Sequence, residues 1–246
     1  MAGAPALLAA AVHFLVTVLD PATGRPVPDL TPADFDAPAR VESVRPANLP
    51  ADVLLVLDTS APGEVIRRHA GAFIAQLGPS DRMAIAGFHN RRPLLLTPFT
   101  TDKAVLARAL RDAPFTGEPA LWDSLAAALS HPFPAGPRQR VVLLLTAGIE
   151  GVNQASPAAV VDLARDRHAA IFPVFLHGSG RYAFAPLARD TGGALFWLRD
   201  HPDPAAVWTA LRSPWLVTLA APAPAESIKA KGKEKTFVSA LPFESR

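Results

Sequence analysis

The run Val53-Leu54-Leu55-Val56-Leu57 is apolar without interruption, a pattern that suits a strand covered on both faces of a parallel sheet. From there to the last third of the chain, strand-like runs alternate with stretches whose apolar residues recur at helical spacing. Strands are predicted at 53–57, 82–88, 91–97, 140–146, 170–176 and 194–198, and helices near 62–77, 102–112, 119–130, 156–168, 184–190 and 203–212. Strands alternating with helices in this way imply βαβ units. The predicted fold class is therefore α/β: a doubly wound, mostly parallel sheet with helices on both faces. The 82–97 pair supplies a hairpin and an antiparallel edge.

The flanking segments carry a different rhythm. Val12 to Leu19 alternates like a strand, followed by the turn-rich Asp20-Pro21-Ala22-Thr23-Gly24-Arg25-Pro26. Leu30-Thr31-Pro32-Ala33-Asp34-Phe35 reads as a short capped turn of helix, and Arg40 to Arg45 as another strand. Near the other end, Trp215 to Leu219 and Thr236 to Leu241 alternate again, joined by a lysine-rich linker. The expected division is a β-rich module over 1–50, an α/β domain over 51–212, and strands over 213–246 that complete the sheet of the first module.

Composition narrows the function classes. With 246 residues, half of them hydrophobic, the chain buries a full core. The net charge of +2 comes from 24 basic against 22 acidic residues. The one basic cluster, Lys229, Lys231, Lys233 and Lys235, is interrupted by Glu234 and has no interleaved aromatics, so it reads as solvated surface rather than a nucleic-acid interface. The absence of cysteine excludes disulfides, thiolate metal sites and cysteine nucleophiles. Met1 to Ala11 is small and apolar but lacks a basic leader region, so no complete signal peptide is visible. No stretch reaches the roughly 20 apolar residues that a membrane span needs.

Catalytic signatures are missing as well. The seven histidines are scattered with no zinc-hydrolase spacing, and Gly178-Ser179-Gly180 lacks the nucleophile elbow. No glycine-rich phosphate loop follows the first strand. The expectation is a non-enzymatic chain with no cofactor.

Candidate chemistry concentrates where ligands bind in such sheets, at the carboxyl ends of the strands. Asp58-Thr59-Ser60-Ala61-Pro62 ends the first apolar strand, and Gly117-Glu118-Pro119-Ala120-Leu121 and Thr146-Ala147-Gly148 form two further loops. Together they resemble the von Willebrand factor A domain. In that family the loops read Asp-x-Ser-x-Ser, Gly-Gly-Thr-x-Leu and Thr-Asp-Gly, and bind one divalent cation at a metal-ion-dependent adhesion site. Gly78-Pro79-Ser80-Asp81-Arg82 and Leu187-Ala188-Arg189-Asp190-Thr191-Gly192-Gly193 are similar to two further landmarks of the family. The resemblance covers about 51–212. The segment from Val16 to Phe35 looks like the β-module that precedes the domain in a bacterial subgroup, many of whose members look exported, which favours an exported or periplasmic location.

Carried over residue by residue, the resemblance leaves a degenerate site. Asp58 and Ser60 match, but Pro62, Pro119 and Ala147 stand where the family has a second serine, the threonine and the aspartate. A hard divalent ion takes about six oxygen ligands, and one carboxylate with one hydroxyl offers too few. Glu118 and Glu150 lie beside the vacated positions as substitute ligands. The resemblance thus implies an interaction or adhesion module that has lost its metal and binds an unidentified protein partner through these seven positions. The alternatives are an enzyme with an unrecognised site in the same crevice and a metal-dependent domain with substitute ligands. Proline stiffness in place of metal ordering is a further expectation for these loops, since proline is tolerated in the first turn of a helix and restricts the unfolded chain.

Overall fold

A computed structural model of the chain describes residues 11–89, 92–115, 118–148, 151–176, 181–198, 203–231 and 237–243, with the backbone alone at 89, 92 and 181–183. Twelve strands are described: β1 Val12–Leu19, β2 Phe35–Asp36, β3 Val41–Pro46, β4 Ala51–Leu57, β5 Arg82–His89, β6 Arg92–Thr100, β7 Gln139–Thr146, β8 Ala169–Phe175, β9 Phe196–Trp197, β10 Trp215–Leu219, β11 Lys229–Ala230 and β12 Phe237–Phe243. The helices are α1 Gly63–Gln76, α2 Lys103–Asp112, α3 Leu121–Ser130, α4 Pro157–Asp166, α5 Arg181–Asp190 and α6 Pro204–Arg212. Glu150, Ser179, Lys233, Lys235 and the segment 1–10 lie outside the described residues.

The main sheet runs β6-β5-β4-β7-β8-β9, parallel throughout except for β6. Its middle strand β4 is buried along its whole length, as the unbroken apolar run predicts. Alternate residues of that run serve opposite faces. Val53, Leu55 and Leu57 pack with Ile66 and Phe73 of α1, Leu106 of α2 and Leu211 of α6. Leu54 and Val56 pack with Leu125 of α3, Val160 of α4 and Leu187 of α5. The sheet is thus covered on both sides, with the edge strand β6 exposed at Leu94 and Leu95.

The terminal segments meet in a second sheet, ordered β12-β1-β10-β3 and antiparallel at every joint. One of its faces has a core of its own around Phe14, Val16, Phe35, Val217 and Ile228, while Leu19 and Leu241 join the core of the main sheet. Two buried hydroxyls fasten the sheets together: Thr17 donates to the Gly192 carbonyl at 2.9 Å and Ser239 to that of Gly193 at 2.7 Å. The family-like Thr191-Gly192-Gly193 landmark is therefore a structural joint, with Thr191 Oγ1 itself bridging Ile171 N and Leu187 O.

The Asp81-Arg82 landmark is structural too, and lies at the amino end of the main sheet. Arg82 forks onto Asp52 at 2.7 and 2.8 Å, and Arg138 reaches the same carboxylate at 2.8 Å. Asp81 accepts from the Ala51 and Gly78 amides and pairs with Arg212 at 3.5 Å. Arg212 also donates to Leu49 O, which binds the end of α6 to the chain entering β4.

Several elements differ from expectation in extent. The helix expected from 184 begins at Arg181, with Pro186 inside it, and the one expected from 119 begins at Leu121. The lysine-rich linker contributes a strand: Lys229 and Ala230 pair with Asp36 and Phe35. Two-residue strands of this kind have no period to read in sequence; their partners determine them. The expected helical turn near Leu30 is a short 3-10 turn at Pro32–Asp34, where Asp34 Oδ2 accepts from both the amide and hydroxyl of Thr31.

Candidate functional site

Asp58 follows β4 directly and is 1% exposed. A buried carboxylate needs several donors, and four surround it. Oδ1 accepts from Ser60 N at 3.1 Å and Ser60 Oγ at 2.5 Å. Oδ2 accepts from Thr146 Oγ1 at 2.8 Å and Ala147 N at 3.1 Å. Thr146 Oγ1 in turn accepts from Gly148 N at 2.8 Å. The carboxylate therefore stitches the loop after β4 to the loop after β7, and its donors come from these loops rather than from the amino end of α1. Thr59, also buried, donates to Phe88 O at the end of β5.

The other sequence-selected positions are placed differently. Pro62 is exposed and precedes α1 as its N-cap, without a side-chain cap. Pro119 is half-buried and stands one residue ahead of Ala120, the N-cap of α3, so it lies outside that helix rather than in its first turn. Ala147 is buried and enters the site through its amide. Glu118 is exposed. The structure thus brings Asp58, Ser60 and Ala147 together by direct hydrogen bonds, and Glu150 lies outside the described residues.

Contacts that the sequence reading missed complete the arrangement. Arg67 of α1 donates to Leu110 O and Ala113 O and lies 4.5 Å from the centre of the Phe115 ring. That ring covers Gly63, where an added Cβ would come within 2.7 Å of it. The start of α1 is thereby fixed against the approach to the second loop. The second and third loops touch where Gly151 meets Pro119: a Cβ on Gly151 would fall 1.8 Å from Pro119 O, so only glycine permits the approach. Asn153 Oδ1 accepts from Trp122 N at 2.9 Å and Asp123 N at 3.3 Å. Asp123, the third residue of α3, accepts from Gln154 N and Ala155 N. Its position in a helix start was legible; its partners, some thirty residues away, had no local signal.

Among the described residues no group of three or more histidine, aspartate or glutamate side chains is placed to hold a metal ion. Beneath the loops the core is aromatic: Trp122 stacks on Phe184 at 4.5 Å, and Phe175 meets Phe184 edge-on at 5.2 Å.

No protein-family model and no curated protein matches the sequence, but solved structures match the fold. The proximal thread matrix protein 1 of the mussel byssus, in a form with a zinc-occupied metal-ion-dependent adhesion site, is 18% identical over 75% of this chain and 49% of its own, with a TM-score of 0.58. The present chain thus spans about half the length of that protein. An aerotolerance-related membrane protein from Bacteroides fragilis is 13% identical over 65% of this chain and 98% of its own, with a TM-score of 0.54. The von Willebrand factor domain of the type V pili tip protein Mfa5 from Porphyromonas gingivalis is 10% identical over 67% and 95%, with a TM-score of 0.50. The chain has the von Willebrand factor A fold.

Proposed function

We propose that this chain is a non-catalytic protein-interaction module of von Willebrand factor A type, whose loop face docks a protein partner without a bridging cation. The observation that carries the reading is the state of Asp58. Its carboxylate already accepts four hydrogen bonds, one of them donated by Ser60 Oγ, the other matching oxygen. Pro62, Pro119 and Ala147 bring no side-chain oxygen. A hard divalent ion takes about six oxygens, and magnesium gives up its waters reluctantly. The donors present do not fit such an ion.

The byssus thread-matrix and pilus-tip proteins that share the fold support an interaction role by analogy of fold alone. Thermal melting with EDTA, Mg²⁺ and Mn²⁺ tests the cation-free part of the reading. A cation present at 100 times its dissociation constant would add about 2.7 kcal/mol; the expected outcome is no shift. The triple variant Pro62→Ser, Pro119→Thr, Ala147→Asp restores the family's ligands and is expected to respond. A cation-dependent rise in the wild type that disappears in Asp58→Ala overturns the proposal. Affinity capture, comparing the wild type with a variant altered across 60–62, 118–120 and 147–148, identifies the partner; capture unchanged by the loop changes would move the docking surface elsewhere.

A further inference from the structure

We infer that Asp123 and Asn153 form a reciprocal clamp that fixes the start of α3, where the second loop ends, against residues 153–155 of the third loop in one arrangement, without a shared ion. The inference extends the cation-free reading of the face, but it rests on hydrogen bonds that are read directly.

Helix α3 starts without a cap of its own. Its N-cap is Ala120, which has no side-chain acceptor, so the amides of the first turn need an outside partner. Asn153 supplies it: its Oδ1 accepts from the amides of Trp122 and Asp123, the second and third residues of the helix. These are the amides that a cap within the chain's own helix start would serve. Its Nδ2 donates to Gly151 O at 2.8 Å, which fixes the side chain within its loop.

The return contact runs from α3 to the same loop. Asp123 Oδ1 accepts from Gln154 N at 2.9 Å and Ala155 N at 2.7 Å, and Oδ2 from Gln154 N at 3.1 Å. A local cap orders one helix; this exchange ties the start of α3, which follows the second loop, to the third loop, because Asn153 holds the first-turn amides of the helix while Asp123 holds the backbone of the loop. Helix α4, directly after the third loop, needs no such help, since Ser156 caps it through Ala159 N. The clamp is therefore not a general substitute for missing caps. It sits where the second and third loops touch, beside the close contact of Gly151 with Pro119. Asp58 performs the matching task between the first and third loops. Asp123 and Asn153 are positioning residues: they set where Pro119, Val152 and Gln154 stand, and Val152 is 74% exposed.

Amide hydrogen exchange on the full chain tests the clamp at residue level, in EDTA and in millimolar Mg²⁺ or Mn²⁺. Losing a cap of this kind is expected to speed exchange about fivefold to tenfold. Asn153→Ala should do so at 122 and 123 and also at 154 and 155, and Asp123→Ala should affect the same four amides. The double variant should be no faster than the faster single one, since either change opens the whole clamp. Asn153→Asp keeps the acceptor and should restore slow exchange at 122 and 123, whereas Asn153→Leu, which keeps the bulk but has no acceptor, should not. Two independent effects, each confined to the amides that the altered side chain bonds, would overturn the clamp. Exchange in the wild type that slows with Mg²⁺ would also overturn it, because an ion would then order the loops. A melting shift with Mg²⁺ while the four amides remain coupled and cation-insensitive would sink the cation-free function and uphold the clamp.

Discussion

At the amino end of the main sheet Asp52 is fully buried between two arginines, whereas at the carboxyl end Asp58 is buried as deeply among four donors that are all neutral. Both carboxylates join neighbouring strands, and neither is left without partners. The amino end uses formal charge: the hydrogen bond that Arg82 donates to the Asp52 carboxylate raises the pKa of the guanidinium further above its ordinary value. The carboxyl end uses amide and hydroxyl dipoles on short loops. A charged fork fixes the bottom of the sheet through long side chains, and dipoles on loops hold the top. The difference shows that a buried aspartate at a strand end is no sign of function by itself; its partners decide what it does.

The comparison breaks first at Asp52. Asp52→Ala leaves Arg82 and Arg138 without their shared carboxylate, and breaking a buried pair in this way costs about 3–5 kcal/mol. Urea unfolding would measure it, and a loss comparable to that of an exposed pair would mean that water already shares the site. Asp58→Ala is expected to cost less, about 1–3 kcal/mol for the donors left unsatisfied, with Asp58→Asn milder because one acceptor oxygen remains. If Asp58→Ala matched Asp52→Ala, the dipole-held end would be as strongly coupled as the charged one.

Arg212→Ala should cost on the order of 1 kcal/mol, chiefly through the hydrogen bond to Leu49 O that joins α6 to the start of β4. Its contribution should be additive with that of Asp58→Ala, since the two lie at opposite ends of β4. Arg68→Ala provides the floor: its pair with Glu64 is largely exposed on both sides, and such pairs are worth about 0–1 kcal/mol. A larger change there would show that unfolding reports on α1 rather than on either end of the sheet.

Titration adds a separate handle. Burial, followed by the charge of Arg68, lowers the pKa of His69 below its ordinary value. A depressed histidine favours the fold while neutral, so its contribution is intact above the unfolded value near 6.5. As the pH falls below that value the unfolded chain takes the proton first, and stability is lost until the folded pKa is passed. His69→Gln should flatten stability against pH in that acidic window, by less than any effect above except that of Arg68→Ala.

Much of this was legible in the residues. The unbroken run at 53–57 placed a central strand covered on both faces, because five consecutive apolar residues leave neither face for water. The order of strands and helices then predicted the sheet, and the loop landmarks pointed to the von Willebrand factor A fold that the solved structures share. That Pro62, Pro119 and Ala147 bring no side-chain oxygen needs no coordinates, since side-chain chemistry is local information. Which groups surround the Asp58 carboxylate did require them. Thr146 and Ala147 lie nearly ninety residues from Asp58, Asn153 about thirty from the helix it caps, and Thr17 and Ser239 reach Gly192 and Gly193 from opposite ends of the chain. Hydrophobic periodicity specifies which residues turn inward, whereas hydrogen-bond partners across loops depend on distances that only the packed sheets and helices set.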